Sequence, residues 1–111
     1  KEVNPDELSS VIGKEKYIFV DFYCSSCPHS IETLPVWENI SELYSSESRF
    51  EFYKIDCDRY YTKCVKFGAQ GYPVFCVYTP GTKEFVQYNR DKEEEKFALW
   101  VKQYTGISLE L

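Results

Sequence analysis

The sequence predicts an α/β domain in which a mixed β-sheet lies between helices. Strand-like apolar runs alternate with helical segments along the chain, and residues 17–23, Tyr-Ile-Phe-Val-Asp-Phe-Tyr, have the β-branched and aromatic composition of a buried strand. With 111 residues, the chain is long enough for one sheet covered by helices. We therefore expect a single domain built in layers.

The first half of the chain begins with a short helix, for which Asn4 is the expected N-cap and Pro5 the first residue. The buried strand 17–23 follows, and then a helix over about 28–45 that Pro35 kinks. Apolar residues recur at helical spacing in this helix and predict one buried face, formed by Leu34, Trp37, Ile40, Leu43 and Tyr44.

The second half is predicted to contain three strands and two helices: strand 50–55, helix 59–67, strand 74–78, strand 84–88 and helix 92–104. The alternation in 50–55 is typical of a strand near the centre of a sheet. Pro80-Gly81 is a tight-turn signal, so the strands on either side of it are expected to form a hairpin.

Composition excludes some functions and favours a compartment. A net charge of −5 without a basic block argues against a nucleic-acid partner. No apolar run is long enough to span a bilayer, so no membrane insertion of this domain is predicted. Five cysteines in so small a chain favour an oxidising compartment, and the odd count leaves at least one thiol free or paired with another molecule.

Two overlapping cysteine motifs lie where the buried strand gives way to the long helix. Cys24-Ser25-Ser26-Cys27 is a Cys-x-x-Cys pair, and Cys27-Pro28-His29-Ser30 begins at its last residue. Cys27 is expected at the N-terminus of the helix, where unpaired backbone donors and the helix dipole lower the pKa of a thiol. Because the thiolate is the nucleophile, Cys27 is the candidate reactive cysteine.

From Asp21 to Pro35 the chain resembles a catalytic-type domain of the protein disulfide isomerase family, within the thioredoxin superfamily. That family's pattern is an apolar strand carrying an acid, then Phe-Tyr or Phe-Trp, three residues, Cys-x-x-Cys, four residues and a helix-kinking proline, and it fits this sequence without a gap. The resemblance covers nearly the whole chain. It implies the thioredoxin fold, with residues 1–111 forming one thioredoxin-like domain excised from a longer multidomain protein.

The resemblance places the family's nucleophilic cysteine on Cys27 and its resolving cysteine on Ser30, with His29 between them to stabilise the thiolate. A serine, whether natural or a trapping substitution, can hydrogen-bond a thiolate but cannot attack a disulfide. A mixed disulfide on Cys27 is then expected to persist until an outside thiol attacks it. Dithiol oxidoreductase activity is therefore doubtful, whereas isomerase-like exchange or covalent capture remains available.

Cys24 offers Cys27 another partner. Three extended residues span about 10 Å, whereas a disulfide requires Cα atoms within about 7 Å, so a turn at Ser25-Ser26 would have to bring the two cysteines together. The interpretation we favour from sequence is that Cys24 is a small buried core residue. Zinc is disfavoured because no second histidine is present, and no metal or other cofactor is predicted.

Other residues acquire roles only through the resemblance. Cys57 and Cys64 match a structural disulfide of several family members. Pro73 matches the cis-proline that packs opposite the active-site cysteine, and the backbone of Tyr72 would pair with an extended substrate segment.

Asp21 corresponds to the buried acid that accepts protons beneath the family's active site. A carboxyl group inside an apolar strand is expected to have a raised pKa. A structural ion pair between Asp21 and Lys16 or Lys54 is the alternative interpretation.

Together these residues predict thiol–disulfide exchange on cysteine-containing polypeptides, with Cys27 as single nucleophile, in the endoplasmic reticulum lumen or another secretory compartment. The alternative is a non-catalytic client-binding or retention module, which has no need of a lowered pKa at Cys27. A glutathione-dependent monothiol oxidoreductase is a third alternative. It predicts a stable adduct between Cys27 and glutathione, which is thus a further candidate partner.

Overall fold

The structure is a computed structural model that describes residues 1–108, so the last three residues of the predicted domain lie outside the described range. Eight elements follow one another: α1 (Pro5–Val11), β1 (Tyr17–Tyr23), α2 (Pro28–Leu43), β2 (Phe50–Asp56), α3 (Tyr61–Phe67), β3 (Val74–Tyr78), β4 (Val86–Gln87) and α4 (Glu94–Thr105). No helix in the described range is both long and apolar enough to cross a membrane.

The four strands form one sheet in the order β2-β1-β3-β4. Strand β1 is parallel to β2 and antiparallel to β3, which is in turn antiparallel to β4. The prediction of a mixed sheet flanked by helices is confirmed.

The helix starts follow from local sequence. At α1, the Asn4 side chain accepts the Glu7 N–H at 2.8 Å, and the Glu7 carboxylate accepts the Asn4 N–H at 3.0 Å, which forms a capping box. Helix α2 begins at Pro28, because proline has no N–H to leave unpaired at the first helical position. Its N-cap is Cys27, so the reactive candidate lies at the positive end of this helix.

Each face of the sheet buries its own apolar cluster, because successive strand residues point to opposite faces. On one face, Ile18, Val20 and Phe22 of β1 pack with residues of α1 and α3. On the other face, Phe19 belongs to an aromatic cluster beneath α2 and α4, with Trp37, Phe52, Phe75, Tyr88, Phe97 and Trp100. By the same alternation, Asp21 lies on the α2 and α4 side of the sheet.

Strand β2 lies at an edge of the sheet, so its prediction as a near-central strand was wrong. The residues before α1 run beside this edge: the Val3 N–H donates to the Lys54 carbonyl at 3.0 Å, and the Lys54 N–H donates to the Lys1 carbonyl at 2.9 Å. Phe50 and Phe52 are buried in the aromatic cluster. The strand therefore has the composition of a buried strand although it is an edge strand.

The predicted hairpin between β3 and β4 is confirmed by the antiparallel pairing of Val77 with Val86. Strand β4 is shorter than predicted. Before it, the Glu84 N–H donates to the Thr82 hydroxyl at 2.9 Å, and not to the neighbouring strand.

Candidate active site

The redox loop, residues 24–27, lies between the end of β1 and the start of α2. Cys24 and Cys27 are joined by a disulfide, with their Cα atoms 5.2 Å apart. A turn at Ser25 and Ser26 brings them together, and a hydrogen bond from the Cys27 N–H to the Cys24 carbonyl, at 3.1 Å, closes it. The interpretation of Cys24 as an unpaired core residue was therefore wrong, and Cys27 has a cysteine partner within the domain.

The two sulfur-bearing residues differ in exposure. Cys24 is 6 % exposed, whereas Cys27 is only partly buried. No side chain of residues 1–108 caps the first turn of α2, so backbone N–H groups at its N-terminus are left to interact with Cys27. These donors and the helix dipole favour the thiolate form of Cys27 when the disulfide is reduced.

Ser30, where the resemblance places the resolving cysteine, is fully buried and contacts the redox loop. Its hydroxyl accepts the Cys24 N–H at 3.0 Å. This serine thus fixes the backbone of Cys24 from the first turn of α2. Sequence periodicity gives no sign of this contact, because it joins a loop to a helix across six residues.

Two acidic residues that the sequence analysis missed anchor the other side of the redox loop. The Ser25 N–H donates to the Asp56 carboxylate at 3.2 Å, and the Ser25 hydroxyl lies 3.5 Å from the Asp58 carboxylate. The Cys57 N–H also donates to the Tyr23 carbonyl at 2.7 Å. The available signal was the Asp-Cys-Asp sequence at the end of β2, because the carboxyl ends of neighbouring parallel strands meet at one edge of a sheet.

His29 lies on the exposed side of the first turn of α2. Its Nδ1 is 3.7 Å from a carboxylate oxygen of Glu32, and the imidazole is 67 % exposed. His29 and Glu32 also line an open groove together with Arg90 and Lys92 of the segment between β4 and α4. The groove beside the start of α2 therefore carries charges of both signs.

Asp21 is fully buried, and neither of its carboxylate oxygens has a hydrogen-bond partner within residues 1–108. Burial raises the pKa of Asp21 to about 8, although the positive charges of Lys54 and Lys92 partly oppose this effect. The two lysines named as structural partners pair elsewhere, Lys16 with Glu51 at 3.0 Å and Lys54 with Glu38 at 2.8 Å. Asp21 is thus an unpaired buried acid.

The peptide bond between Tyr72 and Pro73 is cis. Because Phe22 pairs with Val74 in the antiparallel register, Pro73 lies beside the carboxyl end of β1, where the chain enters the redox loop. The Tyr72 hydroxyl is buried with no hydrogen-bond partner in the described part of the chain, and burial raises its pKa.

A second disulfide joins Cys57 and Cys64, whose Cα atoms are 5.8 Å apart. It links the end of β2 to α3, and both residues are at most 1 % exposed. The remaining cysteine, Cys76 in β3, is free and fully buried, and burial raises the pKa of its thiol well above the ordinary value. Within residues 1–108 no group of three or more His, Cys, Asp or Glu side chains is arranged to hold a metal ion.

Replacing Cys57 and Cys64 together with alanine is expected to lower the free energy of unfolding by about 2 to 3 kcal/mol, because the short closed loop no longer restricts the unfolded chain. Urea denaturation of the wild-type protein and the double variant measures this difference. The single replacement Cys76→Ala is the control, since it removes a buried sulfur without opening a loop. An unchanged urea midpoint in the double variant would contradict the expectation.

The order of the elements, with a cysteine pair at the start of the helix that follows a central strand, defines a thioredoxin-like α/β domain. The family model described as Thioredoxin matches residues 1–103. The chain belongs to the thioredoxin family.

Its relatives include disulfide isomerases. Protein disulfide-isomerase 1 of Dictyostelium discoideum is 26 % identical over 110 residues, which are 96 % of this chain and 30 % of that protein. Protein disulfide-isomerase 1 of Caenorhabditis elegans is 29 % identical over 99 residues, which are 89 % of this chain and 20 % of that protein. The chain thus spans less than a third of these relatives. The prediction of a thioredoxin domain similar to disulfide isomerases is confirmed. The prediction of a Cys-Pro-His-Ser active site with a single cysteine is not supported, because Cys27 is paired with Cys24.

Solved structures confirm the thioredoxin fold. The J-Trx1 fragment of ERdj5 superposes with a TM-score of 0.84 at 21 % identity, over 99 % of this chain and 52 % of that one. Human ERp44 superposes with a TM-score of 0.80 at 18 % identity, over 93 % of this chain and 32 % of that one.

Proposed function

We propose that this domain carries out thiol–disulfide exchange on cysteine-containing polypeptides, with Cys27 as the residue that attacks the client. The observation that carries the proposal is the Cys24–Cys27 disulfide at the N-terminus of α2, in which Cys27 is the more accessible partner. A thiolate at a helix N-terminus is both stabilised and able to attack a disulfide sulfur. The relatives named protein disulfide-isomerase support the same chemistry.

Asp21 is proposed as the proton acceptor and donor of the site. A thiol must lose its proton before it attacks, and a thiolate that leaves must regain one. A carboxyl group with a pKa of about 8 changes protonation near neutral pH, so it can serve in both directions. Its place on the α2 side of the sheet supports this role. We also propose that the His29 side chain, two residues after Cys27, helps to favour the Cys27 thiolate.

Tyr72 and Pro73 are proposed as the place where the client binds. The register of β1 and β3 brings Pro73 beside the redox loop. An extended client segment that forms strand-like hydrogen bonds with the Tyr72 backbone would present its sulfur to Cys27. Polypeptide clients are favoured because such backbone pairing does not depend on one particular side chain.

The endoplasmic reticulum lumen or another secretory compartment is the proposed location. Two disulfides in a domain of this size persist in oxidising compartments and are rare where thiols are kept reduced. Disulfide-isomerase relatives, several times longer than this chain, support a role as one module of a secretory-pathway protein.

The test is exchange with a fluorescent peptide that contains one disulfide. Reduced protein is treated briefly with iodoacetamide at mildly acidic pH, mapped by mass spectrometry and assayed. We expect Cys27 to be labelled fastest, Cys76 to stay unlabelled, and peptide reduction to fall in proportion to the label on Cys27. Protein kept in the disulfide form during the treatment and then reduced is the control, and it should retain full activity.

Two results would contradict the proposal. If unlabelled protein leaves the peptide disulfide intact but still binds the peptide, the domain is a non-catalytic client-binding module. If oxidised glutathione forms a stable adduct on Cys27 that the thiols of the reduced peptide cannot displace, the monothiol alternative is favoured.

A further inference from the structure

We infer that Cys24 is the resolving cysteine of this site, so that the residue which releases the client lies upstream of the nucleophile. This inference rests on the proposed function and adds the step that ends each reaction. Ser30, at the downstream position where the resemblance expects the resolving cysteine, has no thiol. The only cysteine bonded to Cys27 is Cys24, three residues before it.

Cys24 is held in place from two directions. Its backbone N–H donates to the buried hydroxyl of Ser30, and the next residue, Ser25, donates its N–H to Asp56. The Cys24 carbonyl accepts the Cys27 N–H across the turn. These contacts involve the backbone, so they do not require the disulfide and can keep the two sulfurs close after reduction. A sulfur fixed in this way reacts as an intramolecular group, which gives it an advantage over thiols free in solution.

The difference in exposure assigns the two roles. A client sulfur must reach the cysteine that it bonds, and Cys24 is 6 % exposed whereas Cys27 is more open. Cys27 also has the helix N-terminus to stabilise its thiolate, whereas Cys24 precedes the first turn of α2 and is followed by Ser25, which is bound by two carboxylates. Cys27 is therefore suited to attack first, and Cys24 to attack only a sulfur already held next to it.

The steps balance as two successive exchanges. The Cys27 thiolate attacks one sulfur of a client disulfide, the client S–S bond breaks, and the other client sulfur leaves as a thiolate that takes up a proton. Cys24 then loses its proton to the Asp21 carboxylate, the proton acceptor proposed above, and its thiolate attacks the Cys27 sulfur. The bond from Cys27 to the client breaks and the client leaves as a second thiolate. Two electrons pass from the cysteine pair to the client disulfide, and the reverse sequence oxidises a client dithiol.

Ser30 becomes a positioning residue in this scheme. Its hydroxyl is the partner of the Cys24 N–H, and both groups are buried. Replacement by alanine leaves that N–H unpaired, which destabilises the arrangement in which the two sulfurs meet. We expect Ser30→Ala to make the Cys24–Cys27 disulfide easier to reduce, as a shift in its equilibrium with glutathione, while the rate of the first attack by Cys27 changes little.

The test follows the mixed disulfide between Cys27 and the single-disulfide peptide, after acid quenching, by mass spectrometry. Reduced wild-type protein is expected to give free reduced peptide and the Cys24–Cys27 disulfide, with little mixed disulfide. Cys24→Ala is expected to capture peptide on Cys27 and to hold the mixed disulfide at least about tenfold longer, until a small thiol is added, since intramolecular release is lost. Cys76→Ala, which also removes a buried cysteine, should behave as wild type.

A rescue variant separates loss of release from loss of folding. Ser30→Cys combined with Cys24→Ala supplies a thiol at the downstream position, and release is expected to return. The inference is overturned if Cys24→Ala releases peptide as fast as wild type, or if Cys27→Ala captures peptide on Cys24. If no protein in the series forms a mixed disulfide, the proposed function itself is overturned. Capture without any effect of Cys24→Ala leaves that function standing and removes only the upstream resolving role.

Discussion

Replacing Cys27 with alanine is expected to lower the rate at which the domain reduces a peptide disulfide by more than about 100-fold, because the proposed nucleophile is removed. Cys24 cannot substitute for it. It is nearly inaccessible to a client, and it lacks the position at the start of α2. The measurement is the initial rate of peptide reduction at equal protein concentration, in the presence of a small thiol that regenerates the reduced protein.

Two matched variants control this experiment. Cys76→Ala removes the one free cysteine of the described chain, which lies in the sheet outside the redox loop, and should keep the wild-type rate. The paired replacement of Cys57 and Cys64 tests whether a loss of stability alone reduces the rate. Retention of more than about a tenth of the activity in Cys27→Ala would assign the nucleophile to Cys24 instead.

Replacing Asp21 with asparagine is expected to stabilise the fold at alkaline pH and to leave its stability nearly unchanged in acid. The pKa of Asp21 is about 8 in the folded protein and 3.8 in its ordinary state, so the folded state holds a proton that the unfolded state gives up. The contribution of Asp21 to stability is therefore fully present below about pH 4 and is lost as the pH rises towards 8. At about 1.36 kcal/mol per pKa unit, ionisation of Asp21 can lower the free energy of unfolding by at most roughly 6 kcal/mol. We expect Asp21→Asn to raise the free energy of unfolding near pH 8 by about 3 to 5 kcal/mol.

Urea denaturation at about pH 4, 6 and 8 measures this effect as a difference that grows with pH. Glu84→Gln removes a carboxylate of the same charge from an exposed position and should change stability little at any of these pH values. Parallel stability curves for wild type and Asp21→Asn would show that the buried carboxyl group is solvated or paired. Such a result would also remove the basis for its role as a proton carrier.

Strand β1 could be predicted to the residue because it is buried on both faces, so its sequence is an almost continuous apolar run. The start of α2 could be predicted from Pro28, which marks a first helical turn by its own geometry. The edge position of β2 could not be predicted. Its sequence indicates that Phe50 and Phe52 are buried. It does not indicate that residues before α1, and not another strand, run beside its outer edge.

The same distinction applies to the site. The place of Cys27 depends on its immediate neighbours, so it follows from a short motif. The pairing of Cys24 with Cys27 depends on whether a turn forms at Ser25 and Ser26, and that turn is fixed by Asp56 in another strand and by Ser30. Contacts between segments distant along the chain leave no periodic signal. The sequence therefore allowed the pairing as one alternative without deciding for it.

Cys76 is the one cysteine within residues 1–108 of this domain that forms no disulfide. A protein that exchanges disulfides is exposed to its own chemistry, because any reachable thiol can enter a wrong pairing with a client or with a second copy. Cys76 lies in the middle of β3, fully buried, in a setting that keeps its proton in place. Of the five cysteines, two form a buried disulfide, one is free and buried in the sheet, and two form the pair for which we propose exchange. Burial of Cys76 therefore leaves the redox loop as the place where exchange is expected, although the number of cysteines is odd.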